Sequence, residues 1–195
     1  MSAQGVTKDK IIGFALKDPD SKGRIMRWHI MAGLCLLHGY RKGAEVGVSQ
    51  GRFTMFLCAA MHEMQMTCVD RWEEQPDNKG EGAEQYVGWK HNEFLERFKG
   101  ICADYFPNRV RIMRMDSVDG AKMIEDESLD FVFIDDDHSF EGATRSINAW
   151  YLKVRKGGIV AGHDYDWPTV QQAVTAQGWE QVVLFSDSVW VHPKK

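Results

Sequence analysis

The most constraining feature of the sequence is a short, almost continuously apolar run at residues 129–134 that is followed by three aspartates. Such a run is typical of a strand buried on both faces, because helices cover both sides of a parallel sheet. We therefore expect residues 129–134 to form a central parallel strand. Asp135, Asp136 and Asp137 would then stand at its carboxyl end.

Strand and helix patterns alternate along the rest of the chain. Further strands are predicted at 43–48, 66–70, 110–116 and 157–162, and two more at 181–185 and 189–191, which flank three residues and suit a hairpin. These patterns predict an α/β fold of three layers, with a doubly wound, mostly parallel seven-stranded sheet between helices. The terminal hairpin is expected to add an antiparallel C-terminal strand at the edge.

Helix boundaries are predicted from caps and breaking residues. The first helix is expected to follow a cap at Asp20 or Ser21 and to stop at Gly39. The last helix is expected to begin at Pro168, which suits a first helical turn, and to end at Gly178.

The bulk composition limits the class of protein. A chain of 195 residues with 44% apolar residues suits a single domain, in which residues 1–19 are predicted to be an N-terminal arm and residues 71–90 a lid. A formal charge of −4 without a long basic run predicts no nucleic-acid partner. No apolar stretch suits a signal sequence or a membrane span, and the four cysteines lack a disulfide or zinc pattern. We expect a cytoplasmic protein that acts on a small molecule and is compatible with a homo-oligomer.

Residues that close the strands carry the chemistry, because ligands of open α/β sheets bind beyond the carboxyl ends of the strands. Residues 45–51 read acid-x-Gly-x-x-x-Gly, in which glycines allow a ligand to approach the backbone. A dinucleotide fingerprint would need glycine where Ser49 and Arg52 stand. Asp70 closes the second strand, where a carboxylate can accept ribose hydroxyls, and Asp116 closes the third, within reach of an adenine amino group. These residues predict an adenosine site, although each aspartate alone also suits a helix cap.

These motifs resemble the class I S-adenosylmethionine-dependent methyltransferases, and most closely a bacterial group of small methyltransferases of the family 24 type. The fourth and fifth strands of that group read like residues 133–140 and 157–165. The resemblance covers the chain from about residue 40 onward and implies a Rossmann-like fold with S-adenosylmethionine as cofactor. The cofactor-binding residues that it implies are Glu45, Gly47, Ser49, Gly51, Asp70, Arg71, Asp116, Ser117 and Asp135.

The same strand ends are similar to those of metal-dependent catechol-type and sugar O-methyltransferases. The resemblance places metal-binding acids at Asp135 and Asp164, whereas Tyr165 stands where that wider group has a further oxygen ligand. Asp137 or His163 would substitute, and the predicted metal ligands are Asp135, Asp164 and His163. Oxygen ligands favour Mg²⁺, and a histidine ligand shifts the preference toward Mn²⁺ or another transition metal.

The expected reaction is metal-assisted O-methylation of a small or carbohydrate-like hydroxyl substrate, with nitrogen open as an alternative acceptor. A metal-bound hydroxyl loses its proton more easily, and an imidazole accepts a proton near neutral pH. His138 is the first candidate for the general base and His163 the second, and Asp135 completes the predicted catalytic set.

Three other interpretations of these patterns stay open. The chain is also compatible with a nicotinamide-dependent oxidoreductase, which the residues at 49 and 52 count against. It is equally compatible with a non-catalytic module that binds S-adenosylmethionine or another nucleotide. His163 and Asp164 alone also suit a structural hydrogen-bonded turn.

Overall fold

The computed structural model describes residues 23–73 and 90–195, so the predicted arm at 1–19 and most of the predicted lid at 71–90 lie outside the described residues. Helices and strands alternate as the sequence predicts. In chain order the elements are α1 (Arg27–His38), β1 (Lys42–Val46), α2 (Arg52–Ala60), β2 (Gln65–Asp70), α3 (His91–Tyr105), β3 (Val110–Arg114), α4 (Ser117–Lys122), β4 (Leu129–Ile134), α5 (Phe140–Tyr151), β5 (Val154–Gly162), α6 (Pro168–Thr175), β6 (Val183–Leu184) and β7 (Trp190–Pro193).

The sheet has seven strands in the order β3-β2-β1-β4-β5-β7-β6. β1 pairs in parallel with both β2 and β4, so the chain changes direction across the sheet between these two neighbours. The predicted central strand, its parallel neighbours and the terminal hairpin are confirmed. The antiparallel strand is β7, but it lies between β5 and β6 and not at the edge. Four residues of β7 pair with β5, whereas β6 is only two residues long and takes the edge.

Each face of the sheet packs against three helices, as a three-layer fold requires. On one face, α1, α2 and α3 bury residues such as Met31, Leu57 and Phe98 against β-strand residues that include Phe131 and Phe133. On the other face, α4, α5 and α6 enclose a second cluster around Trp150. The two clusters fix the strands between them. None of the described helices is both long and apolar enough to cross a membrane.

Several predicted boundaries are corrected by local geometry. α1 begins at Arg27, where the Nδ1 atom of His29 accepts a hydrogen bond from the Met26 amide; the predicted cap at Asp20 or Ser21 lies outside the described residues. Its end at Gly39, in a left-handed conformation, is confirmed.

Several elements end earlier than expected, whereas β5 begins at Val154, before its predicted start at residue 157. β1 stops at Val46 because Gly47 turns the chain with a φ of 84°. β3 stops at Arg114, since Asp116 caps α4, a short helix that the pattern did not predict. α6 stops at Thr175, before the predicted end at Gly178.

Candidate active site

The carboxyl ends of β1, β4 and β5 lie side by side and form the floor of the candidate site. The Asp135 amide donates to the Val46 carbonyl, and the His163 amide donates to the Ile134 carbonyl. Backbone pairing therefore continues one residue beyond the strands. It brings the glycine-containing loop after β1 beside the acids after β4 and β5, at the position where the sheet reverses direction.

The loop after β1 requires glycine at two of its predicted positions. Gly47 adopts a φ of 84°, and a Cβ placed there would lie 1.9 Å from the Asp135 carbonyl oxygen. Gly51 adopts a φ of 72°, and its Cβ would meet the ring of Phe98 at 2.2 Å. Both residues need left-handed backbone and tight packing. The motif is therefore explained by the fold, and it also holds the loop close to the end of β4.

Asp70 anchors this loop from the end of β2. Its Oδ2 atom accepts hydrogen bonds of 2.8 Å from the amides of Val48 and Ser49, and its Oδ1 atom accepts one of 2.6 Å from the Trp72 amide. The Trp72 indole donates to the Ser49 carbonyl and is buried against Phe98. Trp72 is thus a packing anchor of the loop. A carboxylate has about four acceptor positions, so Asp70 keeps capacity for a ligand hydroxyl.

Glu45 differs from the other predicted cofactor residues because its carboxyl group faces α2. It is 4% exposed, and its Oε2 atom accepts hydrogen bonds from the hydroxyl and the amide of Thr54 at 2.6 and 3.2 Å. Burial raises the pKa of Glu45 to about 8, although the hydrogen bonds from Thr54 oppose this shift. The carboxyl group therefore links β1 to α2 inside the protein.

Asp116 borders an open cleft of about 320 Å³ at the ends of β2 and β3. Its Oδ1 atom caps α4 by accepting from the Val118 amide, while its Oδ2 atom lies 3.2 Å from Arg71 Nη2. Asp116 therefore caps α4 and also lines this cleft. The cleft is lined by Arg71, Glu73, Arg114, Met115 and Asp116.

Ser117 points into the protein instead of the cleft lining. Its hydroxyl lies 2.9 Å from the Ser146 hydroxyl and accepts from the Trp150 indole at 3.1 Å. Ser146 in turn donates to Asp136 Oδ2 at 2.7 Å. The side chain of Ser117 therefore links α4 to α5, and only its backbone remains for contact with a ligand.

Asp135, His138 and Asp164 meet at the ends of β4 and β5. The Nε2 atom of His138 lies 2.7 Å from Asp164 Oδ2 and 3.7 Å from Asp135 Oδ1, and one ligand atom from each residue lies within 4.8 Å of the others. The His138 ring packs against Trp167 with 4.6 Å between centroids. His163, the predicted third ligand, lies beside this group, with its Nδ1 atom 2.9 Å from Asp164 Oδ1 and 3.9 Å from Asp135 Oδ1. His138 completes the cluster.

Both imidazoles are set among carboxylates, which changes their proton affinity. Burial disfavours the charged form of His138, but the hydrogen bonds and charges of Asp135 and Asp164 outweigh it and raise its pKa to about 10. Burial also opposes the charge on His163, whose pKa is raised to about 9 by the charge of Asp135 and by contacts with Asp164 and Asp187. In this state, each imidazole holds its proton at neutral pH.

Two residues of the cluster were not predicted. Arg27, at the start of α1, donates from Nη1 to Asp135 Oδ2 at 2.7 Å and from Nε to Asp187 Oδ2 at 3.1 Å. Asp187, in the turn between β6 and β7, also accepts from the Arg27 amide at 2.7 Å. Their positions in a predicted helix and a predicted turn carried no local signal of this role.

The donor atoms of the cluster suit a divalent cation. Carboxylate oxygens are the ligands that Mg²⁺ prefers, and the additional imidazole nitrogen suits Mn²⁺ and other first-row metals. Asp135 and Asp164 were predicted for this role, and His138 replaces His163 as the third group that the geometry brings together.

Comparison with known proteins places the chain in a family. The family model described as a methyltransferase domain, of the family 24 type, matches residues 44–165. Among curated proteins, no sequence matches this chain.

Solved structures share the fold at low sequence identity. The O-methyltransferase TomG from Streptomyces achromogenes, solved with S-adenosylmethionine, is 14% identical, covers 98% of this chain and 93% of its own, and has a TM-score of 0.62. A methyltransferase from Podospora anserina with bound S-adenosylhomocysteine is 13% identical, with 96% and 87% covered and a TM-score of 0.63. The O-methyltransferase NovP is 15% identical, with 86% and 78% covered and a TM-score of 0.64.

The fold, the loop geometry after β1 and the family match agree, and they favour methyl transfer over nicotinamide chemistry. The resemblance found in the sequence is confirmed: the chain belongs to the family 24 methyltransferase domains, and it shares its fold with methyltransferases solved with S-adenosylmethionine or S-adenosylhomocysteine.

Proposed function

We propose that this methyltransferase transfers a methyl group to the hydroxyl oxygen of a small or carbohydrate-like acceptor, with a divalent cation held beside the acceptor. The observation that carries the proposal is the convergence of Asp135, His138 and Asp164 within 4.8 Å at the carboxyl ends of two central strands. Two acids and an imidazole gathered at a ligand edge form a hydrogen-bonded cluster whose donor set matches a metal site.

The cofactor would lie along the ends of β1, β2 and β3. The Asp70 carboxylate, which already fixes the loop amides of Val48 and Ser49, would accept a ribose hydroxyl. Asp116 would face the adenine from the cleft at the end of β3, with Arg71 held beside it. When it is bound, S-adenosylmethionine supplies an electrophilic methyl group on a sulfonium centre.

Asp135, His138 and Asp164 would hold the cation, either Mg²⁺ or Mn²⁺. The cation supplies Lewis-acid chemistry, because a hydroxyl that it binds loses its proton more easily. The protein positions the donor atoms: β4 fixes Asp135, β5 fixes Asp164, and Trp167 packs against the His138 ring. Holding the acceptor oxygen at this edge would align it with the cofactor and reduce the entropic barrier.

The two histidines would then have different roles. His138 shares its Nε2 atom with both acids and belongs to the ligand group, whereas His163 lies on the other side of Asp164. We assign His163 as the candidate proton acceptor, because its Nδ1 atom lies 2.9 Å from Asp164 Oδ1 and a cation held by Asp135 and Asp164 would offset the carboxylate charges that keep the proton on this imidazole. Free cysteines at all four positions accord with a cytoplasmic location for this reaction.

Calorimetric titration tests the proposal. Purified protein is titrated with S-adenosylmethionine and with S-adenosylhomocysteine, each with and without Mg²⁺ or Mn²⁺, and a panel of hydroxylated and amine acceptors is assayed for methyl transfer. We expect micromolar cofactor binding, saturable cation binding and methylation of a hydroxyl acceptor that EDTA abolishes. Cofactor binding with no transfer to any acceptor would favour a non-catalytic module, and full activity of Asp164→Ala would remove the cation from the mechanism.

A further inference from the structure

The side chain of Asp135, which follows β4, is held by a residue of another element, Arg27 in α1. Its Oδ2 atom accepts a 2.7 Å hydrogen bond from Arg27, while its Oδ1 atom faces the two histidines at 3.7 and 3.9 Å. The Arg27 side chain is 24% exposed and that of Asp135 is 21% exposed, so the contact is partly withdrawn from water. An arginine-carboxylate contact in such a place fixes geometry more strongly than a surface ion pair does.

Asp187 fixes Arg27 in turn. One carboxylate oxygen of Asp187 accepts from both the amide and the Nε atom of Arg27, so it holds the start of α1 and the guanidinium together. Asp187 and Ser188 both have positive φ values, 56° and 49°, which is uncommon for residues other than glycine. Backbone strain of this kind persists where the surrounding contacts demand it.

The turn that contains Asp187 also forms hydrogen bonds with two other segments of the chain. The Ser186 hydroxyl donates to the Ile25 carbonyl at 3.3 Å, and the Tyr165 amide donates to the Ser188 carbonyl at 3.0 Å. The turn is thus bonded both to the residues before α1 and to the loop after Asp164. These contacts hold the turn in place, and Asp187 in turn holds the guanidinium of Arg27.

We propose that Arg27 and Asp187 form a bridge that positions Asp135 for the divalent cation, an inference that rests on the proposed metal site. Both residues lie outside the segment 44–165 that matches the family model, so the match itself assigns them no role. The two are positioning residues: they act on the cation through Asp135, and Arg27 keeps that carboxylate from rotating away from His138 and Asp164.

The bridge also adjusts the charge of the site. Asp135, Asp164 and Asp187 carry three negative charges, and Arg27 returns one positive charge. These four side chains together carry a net charge of −2, which a single divalent cation would neutralise. A lysine at position 27 would preserve this balance but could not bond two carboxylates with a planar fork.

The test compares Arg27→Lys, Asp187→Asn and the double variant with the wild type. Mn²⁺ affinity is measured by calorimetry and by electron paramagnetic resonance, without acceptor, and far-UV circular dichroism verifies the fold. Removal of an outer partner of a metal ligand typically lowers affinity by about 10-fold to 100-fold, so we expect a loss of about tenfold in each single variant. The double variant should lose no more than a single one, because both residues act through one bridge.

Arg155→Lys is the matched control. Arg155 donates from Nε to Asp130 Oδ1 at 2.8 Å, an arginine-aspartate pair of the same chemistry at the opposite ends of the strands. Arg155→Lys should leave Mn²⁺ affinity unchanged. Unaltered Mn²⁺ affinity in Arg27→Lys and Asp187→Asn, with wild-type protein that binds Mn²⁺, overturns the bridge and leaves the proposed function standing. Wild-type protein that does not bind Mn²⁺ overturns both.

Discussion

The Nε2 atom of His138 lies 2.7 Å from Asp164 Oδ2, so a side chain that follows β4 is joined to the end of β5. This contact separates the roles of the two histidines. His138→Gln removes a proposed ligand atom and should lower Mn²⁺ affinity by about 100-fold or more, because the loss of an outer partner of a ligand alone costs about 10-fold to 100-fold. His163→Gln should lower it by only about tenfold, as expected for an outer partner of Asp164. Equal losses in the two variants would place His163 in the ligand group as well.

Burial of the Glu45 carboxyl group makes stability depend on pH. The pKa of Glu45 is raised from its ordinary 4.5 to about 8, so the folded protein binds a proton that the unfolded chain has released in this range. The stabilisation is complete below pH 4.5 and is lost as the pH rises through 8, with a slope of at most about 1.4 kcal/mol per pH unit.

Glu45→Gln keeps the size of the side chain and removes its titration. Its free energy of unfolding should therefore lack this decline and exceed that of the wild type at pH 8. Urea denaturation between pH 4.5 and 8 measures both curves, and Glu125→Gln, at an exposed position, should retain the wild-type slope. Parallel curves for Glu45→Gln and wild type would contradict the raised pKa.

Substitution of Gly47 and of Gly39 by alanine distinguishes the stability cost of close packing from that of backbone strain. Both have positive φ values, but a Cβ at Gly47 would lie 1.9 Å from the Asp135 carbonyl oxygen, whereas none of the atoms that the structure describes lies within 4 Å of a Cβ at Gly39. Gly39→Ala should cost about 1 kcal/mol of unfolding free energy, from the left-handed backbone alone. Gly47→Ala should cost about 3 kcal/mol or more, since the end of β4 must also move. Urea denaturation measures the difference, and similar costs would disprove the close approach.

Asp70 should affect cofactor affinity through the loop that it holds. Asp70→Asn replaces a charged acceptor of the Val48 and Ser49 amides by a weaker neutral one, so the loop loses its fixed position. We expect the affinity for S-adenosylhomocysteine to fall by about tenfold, which corresponds to about 1.4 kcal/mol. Calorimetry measures this loss, and Asp126→Asn, whose carboxylate pairs with Lys153 on the surface, is the control. An unchanged affinity would show that Asp70 serves only the fold.

The sequence predicted best the features that depend on neighbouring residues. β4 has the predicted bounds, 129–134, because an apolar run and the acids after it are local signals. The end of α1 at Gly39 is equally local. Helix capping by Asp116 was one of the two roles that the sequence left open, whereas the inward direction of Ser117 depends on the short helix α4, whose pattern is too brief to detect.

Features set by distant contacts could not be predicted. The interior position of β7 depends on which strand pairs with β5, and a short hairpin pattern does not specify its neighbours. The side-chain direction of Glu45 is decided by Thr54 on the following helix. Arg27 and Asp187 lie in a helix start and a turn whose residue types are ordinary for those places, so only the folded chain brings them to Asp135.

The contact between Arg27 and Asp187 joins residues 160 positions apart, and six strands lie between them in the chain order. Closing so large a loop carries an entropic cost that local contacts do not repay, so it forms after the sheet has assembled. We therefore expect the proposed cation site to be completed late in folding, when the final hairpin docks against the first described helix. A chain whose sheet is formed but whose hairpin is undocked would have native secondary structure and an unfinished active site.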